Sequence, residues 1–204
     1  MKYLLIQILH ILRIVFFKMQ RCYFLFLYFF LPNLRKIING KMQIEKRYPI
    51  CEQLTRITGL GRVEIGDNCF FGFKMGGFHK GGEIELQARY KNAVIRISNN
   101  VATNNNIFIV AAKYIEIGDD TLIGQNVTIM DHEAHGINPD KRRQTGEIGT
   151  VIIGKNVWLG NNVTILKNSN IGDNTIVATG AVVSGIFPAN VIIGGVPAKI
   201  IKTI

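Results

Sequence analysis

No aspartate or glutamate precedes Glu45, so the first forty or so residues have nothing to offset their lysines and arginines. The chain also has no Cys-x-x-Cys pair: Cys22, Cys51 and Cys69 are odd in number and widely spaced, which argues against a disulfide framework or a zinc knuckle and favours a reducing compartment. There is no Gly-x-Ser-x-Gly and no cysteine placed as a nucleophile, which argues against a covalent acyl-enzyme. What remains is 204 residues, enough for one domain and an appendage, 48% hydrophobic and carrying a formal charge of +10. That charge points to anionic partners, namely phosphates, acidic glycans or a lipid surface, and no nucleic acid is expected.

The N-terminal segment, residues 1–40, reads as a basic apolar helix. At 100° per residue, Lys2, Gln7, His10, Arg13, Lys18, Gln20 and Arg21 share an arc of about 160°, with Leu, Ile, Val and Phe on the rest. From Cys22 to Leu31 every residue is apolar or aromatic, and Pro32 then closes the run. A membrane-crossing helix needs about 20 mostly apolar residues. Arg13, Lys18 and Arg21 interrupt such a window, so the expectation is a helix lying in a lipid interface as a peripheral membrane contact. The alternatives are a helix packed on a sister subunit, or a signal peptide, against which stands the lack of a small-residue cleavage site.

From Ile153 the chain repeats every six residues. Ile153, Leu159, Ile165, Ile171, Val177 and Val183 are branched aliphatics, and two places before each of the last five stands a smaller side chain: Val157, Val163, Ser169, Thr175 and Ala181. A period of six fits neither a helix nor a hairpin array. It fits a parallel β-helix in which short strands stack coil on coil, with Gly-Asp-Asn and Gly-Lys-Asn corners that tolerate φ > 0. The domain is expected over residues 41–204, ragged to Asn100, in phase at Thr103 and Ile109, then shifted by two residues before Ile117. One ejected loop, 131–148, follows Met130. Its Gly, Pro and charges cannot build a coil face, and a solenoid's ejected loops usually carry its function.

Two of the four histidines lie in that loop. His132 follows a strand end, with Asp131, Glu133 and His135 near enough to orient it, so a neutral imidazole there is a candidate general base for an alcohol. His135 is either a second acceptor contact or a solvated loop residue.

Val157-Trp158-Leu159-Gly160, Ile171-Gly172-Asp173-Asn174 and the ending Gly194-Gly195-Val196-Pro197-Ala198-Lys199 resemble the hexapeptide-repeat acetyltransferases, in the maltose/galactoside and polysaccharide O-acetyltransferase branch. The resemblance covers about residues 97–204. It implies a left-handed β-helix, a homotrimer with active sites between subunits, and acetyl-CoA as co-substrate for transfer to a sugar or glycan hydroxyl, in the cytoplasm or on the inner membrane face. It implies His132 as base, with Asp131 beside it, and the N–H of Asn161 as oxyanion donor. It further implies Asn106 and Trp158 at the acceptor, and Gly160, Thr179, Ser184 and Lys199 along the cofactor. Ala111, where relatives often have aspartate, implies acceptor contacts unlike those of the simple galactoside enzymes. No metal is implied. A zinc hydratase on this scaffold needs three converging imidazoles, and His79 lies far from His132 and His135 in sequence. N-acetylation of an amino sugar, serine O-acetylation and a non-catalytic scaffold are the other readings.

Overall fold

The structure is a computed structural model that describes residues 2–204; Met1 and the side chains of residues 2–5 and 8, including Lys2 of the basic stripe, lie outside the described residues. From Met42 onward the chain winds through three parallel sheets in strict rotation, the left-handed β-helix architecture. The first sheet holds Arg62–Ile65, Val94–Ile97, Tyr114–Ile117, Thr150–Ile153 and Ser169–Ile171 among its strands. The second includes Ala102–Thr103, Leu122–Ile123, Trp158–Leu159, Ile176–Val177 and Val191–Gly195, closed by the antiparallel Ala198–Thr203. The third includes Thr55–Gly59, Ile84–Ala88, Phe108–Ala111, Thr128–Met130, Thr164–Ile165 and Val182–Val183.

The hexads explain this winding. Every aliphatic from Ile153 to Val183 in the series of six is at most 1% exposed, and the smaller residue two places before each of the last five is at most 2% exposed. Three hexads make one coil, so Ile153 pairs with Ile171, Leu159 with Val177 and Ile165 with Val183. Corner asparagines 156, 162, 168 and 174 take φ of 52–61°, a region in which asparagine is less disfavoured than most residues. Their amides form ladders up the prism edges, as from Asn156 to Asn174 to Asn190 at 2.9 Å each.

The register also locates the irregularities. Ile97 pairs with Ile117, 20 residues on, which places the two-residue shift. Ile117 pairs with Ile153, 36 residues on, so the excursion 131–148 takes the place of a whole coil. A second excursion departs from the expectation of a single loop. Residues 72–83 leave the prism after Phe70–Phe71, because their five glycines cannot supply a strand face. Their base is tied down by Asn105, whose Nδ2 donates to the carbonyls of Phe73 and Gly77.

The N-terminal helix is not a separate unit. Helix α1 (Lys2–Leu25) continues through a π-helical turn, Phe26–Phe30, into helix α2 (Leu31–Ile38). Pro32 therefore does not end the helix. The wider turn before it, in which the Leu31 N–H reaches back five residues to Phe26, opens the backbone where a proline ring would crowd it. Phe29 is fully buried in the prism core. Asn33, also fully buried, donates from Nδ2 to the carbonyl of Thr55 (2.7 Å) and accepts the N–H of Ile57 (2.6 Å). Residues 26–38 thus cap the first coil, and a boundary at residue 40 cuts through packed structure. Only the first part of the helix stands free: Ile6, Leu9, Ile11, Leu12, Phe16, Met19 and Tyr23 are all more than half exposed.

Candidate active site

The Asp131–His132 pair sits where the third sheet turns toward the first. Asp131 is fully buried, and its carboxylate accepts the N–H groups of Ala112 (2.6 Å), Lys113 (2.8 Å) and Tyr114 (2.8 Å). Those donors come from the two-residue shift in the coil below, which supplies backbone N–H groups no neighbouring strand takes up. The same carboxylate meets His132 Nδ1 at 3.0 Å. On the other side of the ring, Nη1 of Arg89 lies 2.8 Å from Nε2. A carboxylate only accepts here and a guanidinium only donates, so the neutral ring must carry its proton on Nδ1 and a lone pair on Nε2. That is the tautomer a general base needs.

His132 is 3% exposed, and the ejected loop closes beside it. His132 bridges Ile148 across the loop's neck, and Lys167 bonds both Glu133 (3.3 Å) and Glu147. His135 is exposed and its Nδ1 meets the carbonyl of Arg142 at 2.9 Å, so it fastens the loop to itself.

The remaining candidates divide between two edges of the prism. Gly160, Asn161 and Thr179 lie where the second sheet turns into the third. Gly160 is glycine for a packing reason: a Cβ there would stand 2.7 Å from the Thr179 nitrogen of the next coil. The Asn161 side chain accepts the N–H of Gln125 (3.0 Å), while its own N–H is not among the coil's backbone hydrogen bonds. Trp158 points outward from the second sheet, 54% exposed, into a cleft of about 660 Å³ that Asn161, Leu122, Phe70, Phe73 and Asn104 also line. Lys199 is exposed on the closing strand, opposite Gly194. Thr179 and Ser184 are both exposed, so neither fills the core. Ser184, however, follows a third-sheet strand and shares the edge of His132, not that of Asn161.

Two expectations need correction. Asn106 is a rung of a corner ladder: at φ 59° its amide donates to Asn126 (3.2 Å) and accepts from Gln53 (3.3 Å), while Asn104, two residues earlier, lines the cleft. Ala111 is fully buried in the prism, so its own side chain offers an acceptor no contact. Sequence reasoning also missed Arg89 and Phe73. Ala88 pairs with Ala111, and Val110 with Met130, so Arg89, Ala112 and His132 come at one corner of three successive coils. Small Ala112 leaves Arg89 room to reach His132. Among the described residues no group of three His, Cys, Asp or Glu side chains comes together as a metal site.

A hexapeptide prism with an oriented imidazole at one edge and a cleft beside another defines the class as acyltransferase. Residues 150–185 match the family described as bacterial transferase hexapeptide (six repeats). WbbJ of Escherichia coli (strain K12), provisionally named a lipopolysaccharide biosynthesis O-acetyl transferase, is 39% identical over 154 residues, 70% of this chain and 72% of that one. The galactoside O-acetyltransferase of the same strain is 37% identical over 114 residues, and the match spans only 54% of either chain. A solved galactoside acetyltransferase in complex with coenzyme A superposes with a TM-score of 0.53 at 26% identity, covering 74% of this chain and 66% of that one. The chain belongs to the hexapeptide-repeat acetyltransferase family, which uses acetyl-CoA as acyl donor.

Proposed function

We propose that the protein transfers acetyl from acetyl-CoA to a sugar hydroxyl of a surface polysaccharide, with His132 as general base. The observation that carries this is the Asp131–His132–Arg89 arrangement, which leaves a lone pair on Nε2. An acceptor hydroxyl gives its proton to Nε2 as its oxygen attacks the thioester carbonyl. The new C–O bond forms and the oxyanion takes the N–H of Asn161. Collapse breaks the C–S bond, and the thiolate recovers the proton from the imidazolium, leaving an O-acetyl ester and free coenzyme A. Thr179, exposed beside Gly160, suits the pantetheine arm, Lys199 suits the phosphates at the nucleotide end, and Trp158 lines the cleft expected to take the acceptor. The galactoside enzymes' names and the lipopolysaccharide name of WbbJ support a glycan acceptor.

Assembly follows from the split. His132 and Asn161 lie on different edges, separated by the width of the third sheet. A cyclic trimer sets one edge of each copy against the other edge of the next, and this head-to-tail contact closes at three. Each active site is then shared by two copies.

The free helix supports a membrane-bound enzyme. Among its described residues Ile6, Leu9, Ile11, Leu12 and Phe16 are more than half exposed, alongside His10, Arg13, Lys18 and Arg21. The stretch Leu9–Ile38 is long and apolar enough to cross a bilayer. Its second half, however, is fixed to the prism by Phe29 and Asn33, and the free half carries Arg13, Lys18 and Arg21. The helix therefore lies in an anionic lipid interface on the cytoplasmic face, each basic residue there contributing about 1 kcal/mol.

Acyl transfer is tested by thiol release from acetyl-CoA against neutral and acidic glycans, with the product treated with hydroxylamine. An ester that hydroxylamine cleaves is expected; a resistant amide product would replace O- with N-acetylation, and no product with any acceptor would remove the reading. Membrane contact is tested by co-sedimentation with anionic vesicles. Full-length protein should pellet at low salt and a chain lacking residues 1–20 should not; equal pelleting of the two contradicts it.

A further inference from the structure

On the outer face of the third sheet a chain of polar side chains leads to the imidazole. Thr58 donates to Glu85 (2.6 Å), Gln87 donates to Glu85 (3.1 Å), Arg89 Nε donates to Gln87 (2.9 Å), and Arg89 Nη1 meets His132 Nε2 (2.8 Å). Arg89 is half-buried, and its fork ends on the one atom that a reacting hydroxyl must reach. A guanidinium in that place has a consequence. Either it only blocks the base until it is pushed aside, or it belongs to the acceptor site.

The first option wastes an arginine on obstruction. Among the described residues no carboxylate pairs with Arg89, whereas Arg56, Arg62 and Arg96 each have a glutamate. Glu85, the acid on the same strand, already receives Thr58 and Gln87. Gln87 holds Arg89 by one nitrogen alone, leaving the other side of the planar fork for a bidentate partner. One residue on, Tyr90 Oη and Thr145 Oγ1 join at 2.7 Å and pin the ejected loop at this strand's end.

We propose that Arg89 is the acceptor-specificity residue and that the acceptor is an acidic sugar, whose carboxylate pairs with Arg89 while a neighbouring hydroxyl takes the guanidinium's place at Nε2. The inference rests on the proposed acyl transfer to a hydroxyl. The carboxylate draws Nη1 away from His132 and so frees the base only when the matching acceptor is present. A neutral sugar leaves Arg89 on the imidazole and competes with it for the lone pair. In this way one side chain reads charge and gates the base, which explains its contact with Nε2 without assigning it any proton transfer. It is a binding and positioning residue.

The test compares a uronic acid glycoside with its neutral primary amide, a near-isostere, as acceptors for the full-length protein. Wild type should favour the acid by about 10- to 100-fold in kcat/KM, the scale of a charge-assisted bidentate contact. In Arg89→Gln that ratio should fall to about one, mainly through KM for the acid. Arg89→Lys, which keeps the charge but loses the fork, should fall between them. A wild-type ratio near one would overturn the proposal, as would an Arg89→Gln variant that lowers both acceptors equally, and in each case acyl transfer itself would stand. If wild type acetylates neither sugar nor any other hydroxyl, the functional reading fails and the proposal falls with it.

Discussion

Two regions of this molecule are rich in apolar residues and treat them in opposite ways. In the coils from Ile153 to Val183, one branched aliphatic and one smaller side chain in every six are interior, so the chain supplies its own cover. In the free half of the helix, Ile6, Leu9, Ile11, Leu12 and Phe16 lie mostly opposite the basic stripe, and each is more than half exposed. Spacing, not content, separates the two. A period of six returns side chains to the axis of the prism, whereas an exposed apolar helix face needs an apolar surface from elsewhere. The boundary between the regimes falls inside the helix, at the π-helical turn, where Phe29 enters the core.

The largest effect that can break this comparison is on stability. Truncating interior Ile165 to alanine should cost about 2–5 kcal/mol, as cavity formation in a packed core does. Phe16→Ala in the helix should stay within about 0.5 kcal/mol and still weaken vesicle binding. Chemical denaturation of the two variants side by side reads this out, and equal losses would show that the free helix packs on the protein after all.

A smaller effect uses one residue type in both settings. Burial pushes the thiols of Cys51 and Cys69 up to about 12 and about 11, while Cys22 is exposed on the helix. A thiol with a raised pKa stays protonated near pH 8 and is slow to react. One thiol per chain should therefore titrate with a disulfide reagent in the native protein and three in denaturant. Anionic vesicles should slow Cys22 alone. If Cys51 reacts as fast as Cys22, the first coils open more readily than their burial implies.

The hexads were readable because the period is strict: the interior aliphatics, the two-residue shift and the long excursion all follow from counting. The 72–83 excursion was not, since Phe71-Gly72-Phe73 imitates a hexad before the glycines give way. The capping role of Asn33 was hidden for another reason. A single asparagine in an apolar helix reads as a defect until Thr55 and Ile57 are seen to need it. The candidate site was legible where its residues are neighbours, as Asp131 and His132 are. It was not legible where coils bring distant residues together. Arg89 lies 43 residues before His132 and is signalled only by the register that stacks both at one corner. Asn106 misled because three asparagines in a row take three different places: Asn104 lines the cleft, Asn105 is buried and Asn106 is a corner rung.

The central claim is that Nε2 of His132 takes the acceptor's proton. Its most direct test is kcat for His132→Ala at saturating acetyl-CoA and acceptor, alongside the Kd for acetyl-CoA by calorimetry. A loss of about 10²- to 10⁴-fold in kcat is expected, the scale of a positioned general base. The Kd should hold within about twofold, since the imidazole acts on the acceptor and not on the cofactor. Turnover within about threefold of wild type would contradict the account.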